Sequence, residues 1–193
     1  FGTGCDQLQL ASSYTGGNGT WAITNTGGNG AGANTWFVSA TEAGMGVGIC
    51  GDGCLADATL TNRTLHLGNV STGYGACWFC PTGDCGAAYD DFGAAFLCGG
   101  SSPLTDKRAE SPTINCSGIA NITMSFLYIE NGSATDNAAV WYYDGSAWSQ
   151  IDDPPPVTLC GAAGTWTSRT ISLPSSANNN PNVKIGFRWV NVN

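Results

Sequence analysis

The chain has 193 residues, with 6 Lys and Arg against 14 Asp and Glu and a formal charge of −8, a balance that repels nucleic acid and anionic membrane surfaces. No apolar run approaches the length of a membrane span, and 42% hydrophobic content with seven Trp excludes a chain too polar to bury a core. Twenty-eight Gly and only 10% charged residues fit one domain of short strands and many turns.

Nine Cys beside a single His point to an oxidising setting, extracellular or at a cell surface, and the odd count leaves one thiol free or paired between chains. The first residue is Phe1, with neither an initiator Met nor a signal peptide, so the sequence reads as a mature or truncated chain. In residues 5–12, Leu8 and Leu10 alternate with Gln7 and Gln9, the period of a strand. Gly16-Gly17-Asn18-Gly19 follows as a flexible joint. Residues 1–20 are therefore read as a strand segment with a Gly-rich hinge, and 21–193 as the domain proper.

Strands are predicted at 21–24, 35–40 and 59–67. Between the last two lies a Gly/Cys loop. Its Gly46-x-Gly48-x-x-Gly51 matches a dinucleotide-binding pattern, but no helix follows, and Cys50–Cys54 as a loop staple is the better reading. His66, between Leu65 and Leu67, falls on the polar face of its strand as a satisfied or exposed surface histidine rather than a catalytic base.

Residues 71–106 form the longest irregular stretch, which calls for a staple or a function. Cys77, Cys80, Cys85 and Cys98 are predicted to pair among themselves in any of three ways; a zinc site from the same four is the alternative. Trp78-Phe79 inside that loop can stack on a sugar ring or anchor a partner, or fold back onto the sheet. Asp90-Asp91 is a candidate calcium ligand pair. No other cofactor is implied.

A strand follows at 109–114, with Pro112 favouring an edge. Segments 121–130, 138–143 and 147–151 then read as a three-stranded meander. Ile122, Met124, Phe126 and Tyr128 share one face, and Asp144-Gly145 supplies a tight hairpin turn before Trp148. Asp152-Asp153-Pro154-Pro155-Pro156 is a rigid exposed turn, and the last strands are predicted at 166–173 and 183–191. Cys116 and Cys160, at the ends of neighbouring strands, are predicted to form a disulfide worth about 4 kcal/mol for so long a loop.

No Gly-x-Ser-x-Gly elbow is present, and the adjacent carboxylates of each Asp doublet point to opposite faces of a strand, so no catalytic set emerges and the chain reads as non-enzymatic. Trp141 and Tyr143, at alternate positions of one strand, join Trp78 and Phe79 as aromatics for a glycan or a partner.

Ser111-Pro-Thr-Ile114, the 122–129 strand, the Asp144-Gly145 hairpin with Trp148, Trp166 with Ile171-Ser-Leu-Pro174, and Val183-Lys-Ile-Gly-Phe-Arg-Trp189-Val-Asn191 resemble the jelly-roll domains of secreted and surface proteins of Bacteroidetes-type bacteria. The cleaved-adhesin and MAM-like domains are the nearest group. The resemblance covers residues 104–193 and implies an adhesion module, a carbohydrate-binding appendage or a part of a surface fibre. In such domains the last strand runs on into an Asp-rich turn and one more short strand, whereas this sequence stops at Asn193. A calcium site built on that strand is not transferred.

The expected fold is thus all-β, an antiparallel jelly-roll β-sandwich with long disulfide-stapled loops. The expected function is a non-enzymatic extracellular structural protein, a subunit of a surface filament or adhesin, with a carbohydrate-binding module of a larger secreted protein as the alternative. If the sandwich lacks its closing strand, an open edge beside the last or first strand accepts residues 5–12 of another copy, reading Leu8 and Leu10, with Cys5 locking the joint. Donor and acceptor lie at different places, so copies add head-to-tail.

Overall fold

The computed structural model describes residues 13–39, 64–68, 87, 104–130, 132–156, 159–160, 163–164 and 167–192. Within them the chain is all-β, and every strand pair is antiparallel. The strands are β1 (Ser13–Gly16), β2 (Gly19–Asn25), β3 (Thr35–Ser39), β4 (Thr64–Gly68), β5 (Thr105–Glu110), β6 (Thr123–Tyr128), β7 (Asp136–Tyr143), β8 (Trp148–Asp152), β9 (Leu159–Cys160), β10 (Ala163–Gly164), β11 (Thr167–Ser172) and β12 (Lys184–Asn191). Six of them form the main sheet in the order β1-β2-β5-β12-β7-β8; β11-β6, β3-β4 and β10-β9 pair separately.

The inner face of the main sheet is covered in two halves, which gives a sandwich-like arrangement. Over one half, Trp36, Phe37 and Val38 of β3 pack with Ala109 of β5 and Trp189 of β12, and Leu65 and Leu67 of β4 join them. Over the other half, Met124 and Phe126 of β6 and Ile171 of β11 cover Val140, Tyr142 and Ile185. Phe187 packs against both clusters. Its ring lies 5.5 Å from Phe126, edge-on, and 6.3 Å from Trp21, stacked. The alternation read for residues 122–128 holds: Met124, Phe126 and Tyr128 turn inward, while Leu127 is 63% exposed.

Several expectations are corrected. Residues 121–151 do not form a meander: β6 crosses to pair with β11, leaving β7 and β8 as the hairpin. The Asp144-Gly145 turn is not a two-residue one, because Tyr143 pairs with Trp148 across a four-residue loop. Asp144 Oδ1 holds that loop by accepting from the N–H groups of Ser146 and Ala147, each at 2.8 Å. Gly16–Gly19 is not a hinge but the turn of the β1–β2 hairpin, with Gly16 opposite Gly19. Gly19 has φ +109°, and a Cβ there would meet Pro112 Cβ at 2.8 Å, so both backbone and packing require glycine.

The strand expected at 109–114 runs instead over Thr105–Glu110, with only an isolated bridge from Ile114 to Val183 beyond it. Asp106 pairs with Arg188 of β12 and Arg108 with Glu110 of β5 itself, which lets a polar strand lie between β2 and β12. The edge beside the last strand is also absent: β12 is central, bonded to β5 on one side and β7 on the other.

Cys116 is a free thiol, 4% exposed, packed with Val140, Tyr142, Ala177, Val183 and Ile185. It is a small apolar core residue rather than half of a Cys116–Cys160 bridge. Cys160 lies in β9. The turn above Cys116 is knitted by Asn side chains: Asn179 Oδ1 accepts from Gly118 N–H, Asn178 Oδ1 accepts from Asn121 N–H, and Asn180 Nδ2 donates to Asp144 O.

Candidate binding face

The outer face of the main sheet is built by alternation. Ile185, Phe187 and Trp189 point into the core, so Lys184, Gly186 and Arg188 of β12 point out. The register then fixes their neighbours. Glu110, Gly186, Trp141 and Gln150 form one row across β5, β12, β7 and β8. Arg108, Arg188 and Ala139 form the next row, and Lys184, Tyr143 and Trp148 flank the first on its other side.

Gly186 leaves a shallow floor in the middle of this face. A Cβ there would lie 2.6 Å from Arg108 Cδ and 3.0 Å from Trp148 Cζ3. The Arg108 stem occupies that floor, and its guanidinium sits 3.8 Å from the Trp148 ring centroid and 5.8 Å from that of Trp141. The Arg188 guanidinium lies 4.8 Å from the Trp141 ring centroid. Tyr143 stands 5.3 Å from Trp148, and Lys184 Nζ lies 5.9 Å from the Tyr143 ring. Each such cation–ring contact contributes about 0.5–2 kcal/mol, more as water is excluded.

Two ion pairs complete the face. Arg108 donates through Nε (3.1 Å) and Nη2 (2.8 Å) to the same oxygen, Glu110 Oε1. Arg188 grips both oxygens of Asp106, Nε to Oδ1 at 2.7 Å and Nη2 to Oδ2 at 2.6 Å, and Thr26 Oγ1 also donates to Oδ1. Burial acts to raise the Asp106 pKa, but the Arg188 and Thr26 hydrogen bonds and the nearby guanidiniums hold it below the ordinary value. The Asp106 contact raises Arg188 in turn. Both groups are therefore charged at neutral pH.

Of the residues singled out in the sequence, Trp141 and Tyr143 are brought together here, half-buried on one face. Trp78, Phe79, Asp90, Asp91, Cys5, Leu8, Leu10, Cys50, Cys54, Cys77, Cys80, Cys85 and Cys98 lie outside the described residues. His66 is half-buried and satisfied: it bonds to Thr64 Oγ1, and its ring lies 5.8 Å from Phe37. Trp148, Arg108, Arg188, Glu110 and Gly186 were not picked out for the site. The signal was present in Lys184-x-Gly186-x-Arg188, an alternation opposite to the apolar one of the same strand.

No protein-family model matches the chain, and no curated protein matches it. Among solved structures, the chain is similar to the K1 cleaved adhesin domain of Lys-gingipain (Kgp) from Porphyromonas gingivalis W83. The identity is 13%, the match covers 96% of this chain and 87% of that one, and the TM-score is 0.43. A likeness at that level carries no weight for what this chain does.

Proposed function

We propose that the chain is a non-enzymatic module of an extracellular or cell-surface protein, adhesin-like with a jelly-roll architecture, that recognises glycans through the outer face of its main sheet. One observation carries this reading: Trp141, Tyr143 and Trp148 lie together on a sheet face, the two tryptophan rings held against Arg108 and Arg188 and Tyr143 against Trp148. Rings fixed in this way present apolar surface at low entropic cost, and the charged groups between them supply directional hydrogen bonds. That combination suits a pyranose ring, apolar on its C–H faces and polar at its rim.

The test is a glycan array probed with the wild-type chain and with Tyr143→Ala and Trp141→Ala, each first shown to be folded by its far-UV spectrum. Binding that falls about tenfold or more in both variants is the expected result. Glycan binding indifferent to both changes would place the site elsewhere.

A second reading, a filament subunit, is favoured by the position of β1. This strand is an edge of the main sheet, bonded only to β2 among the described residues, and it directly follows residues 5–12. Strand addition at such an edge would join copies head-to-tail, with Leu8 and Leu10 as the inserted pair and Cys5 as the lock. Deleting residues 1–12 should then abolish polymers seen by electron microscopy; polymers that persist would end this reading.

A further inference from the structure

We infer that the outer-face site takes a neutral oligosaccharide, read at a hydroxyl pair by the Arg108–Glu110 couple, and not an acidic or sulfated glycan. The inference rests on the glycan-binding reading above and narrows it to a ligand class.

The face looks cationic in an acidic protein, since it gathers Arg108, Lys184 and Arg188, three of the six basic residues. The ion pairs change that picture. Arg108 is matched by Glu110 at 2.8 Å and Arg188 by Asp106 at 2.6 Å. All four side chains are largely withdrawn from water, with exposures of 8%, 13%, 22% and 14% for Arg108, Glu110, Arg188 and Asp106. A sulfate or carboxylate ligand would have to displace a carboxylate from its guanidinium, or take Arg108 Nη1 alone with the Glu110 charge close by. It would then lie against a poorly hydrated like charge, an arrangement that opposes binding. Lys184 is the remaining cation of the face, and it lies out by Tyr143 rather than between the tryptophans.

The unused hydrogen-bonding capacity points to hydroxyl groups. Because Arg108 places both Nε and Nη2 on Glu110 Oε1, Nη1 and Oε2 take part in no hydrogen bond among the described residues. Arg108 thus keeps a donor, and Glu110 an acceptor, on one rigid couple. A hydroxyl both donates and accepts, so one hydroxyl can donate to Oε2 while its neighbour accepts from Nη1. A sulfate or a carboxylate only accepts, and it cannot use Oε2 at all. Trp148, packed on the same guanidinium at 3.8 Å, is placed to hold the ring that carries those hydroxyls. Gln150, exposed in the same row as Glu110 and Trp141, offers a further donor and acceptor at the rim.

The experiment is calorimetric titration of the full chain with neutral oligosaccharides (gluco-, xylo- and manno-configured) and with heparin and alginate oligosaccharides, at low and high salt. Wild type, Glu110→Gln and Lys184→Ala are compared. Glu110→Gln keeps an oxygen toward Arg108 but replaces the free acceptor with a donor, and its fold is checked by thermal melting. The expected result is a neutral ligand whose affinity changes little with salt and falls about tenfold or more in Glu110→Gln. Binding confined to the polyanions, steeply weakened by salt and lost in Lys184→Ala, would overturn the inference while leaving the glycan reading standing. Binding of neither class would overturn both.

Discussion

Glu130 should make this protein less stable as pH rises through neutrality. The side chain is 8% exposed at the start of the β6–β7 connection, and its Oε1 accepts the Ala138 N–H at 2.7 Å. Pairing between β7 and β8 reaches only Val140–Asp152, so beyond it the carboxyl supplies the acceptor that a neighbouring strand would. Burial pushes the Glu130 pKa up from the usual 4.5 to about 7; the Ala138 bond pulls it down in part, and the Asp153 charge adds to the rise. With the folded value above the unfolded one, stability is full below about pH 4.5 and is lost as pH climbs through about 7. A gap of about two and a half pH units corresponds to roughly 3 kcal/mol at 1.36 kcal/mol per unit. Glu130→Gln keeps the acceptor for Ala138 and removes the ionisation. Urea unfolding of both proteins at about pH 4 and about pH 8 should give similar stabilities at the lower pH and a variant more stable by roughly 3 kcal/mol at the higher. A pH dependence that is the same in both proteins would refute the reasoning.

Gly186→Ala should destabilise by about 1–3 kcal/mol and shift tryptophan emission, because the new methyl collides with the middle of the Arg108 stem rather than its free end. An unchanged urea midpoint would mean that the stem slides aside. Cys116 should resist alkylation in the native protein and label fully in denaturant; peptide mapping that finds it in a disulfide would contradict its core placement. Asp152 lies below the usual carboxylate range, chiefly through its hydrogen bonds from Arg169 and against the opposing effect of burial. Its contribution is present at neutral pH and lost as pH falls through that lowered value. Arg169→Met should therefore lower the melting temperature at neutral pH, with the difference from wild type closing in acid; a constant difference would argue against the pair.

Strands whose sequence shows a one-sided apolar pattern were legible. Met124 and Phe126 alternate with Thr123, Ser125 and the exposed Leu127, and Ile185, Phe187 and Trp189 alternate with Lys184 and Arg188. The start of strand β5 was not legible, because Thr105–Arg108 holds no apolar residue and the partners of its charges, on β12 and on β5 itself, are not part of any local pattern. The crossing of β6 to β11 was hidden for a similar reason. Periodicity fixes which face of a strand is buried but not which strand lies beside it. Gly16–Gly19 fits a linker and a turn equally well by composition, and Pro112 packed over Gly19 is a contact across some ninety positions that no local pattern carries. Half of the candidate site was visible in Trp141 and Tyr143. The other half depended on register, which places Gly186 between Glu110 and Trp141.

The central position of β12 governs the order in which the molecule can be made. The strand comes last in sequence among those described, yet it joins the β1-β2-β5 half of the main sheet to the β7-β8 half. The Arg188–Asp106 contact alone spans 82 positions. During synthesis at about 5–20 residues per second, the earlier strands wait for Lys184–Asn191 to emerge. Until it does, β5 and β7 each present a row of unpaired backbone groups, the kind of edge that captures strands from other chains. Closing such distant partners is also slow, since loop entropy must be overcome before the contacts form. The most vulnerable moment of this fold is therefore the interval before its final strand arrives, and a chain interrupted short of Lys184 would be left as two half-sheets with matching open edges.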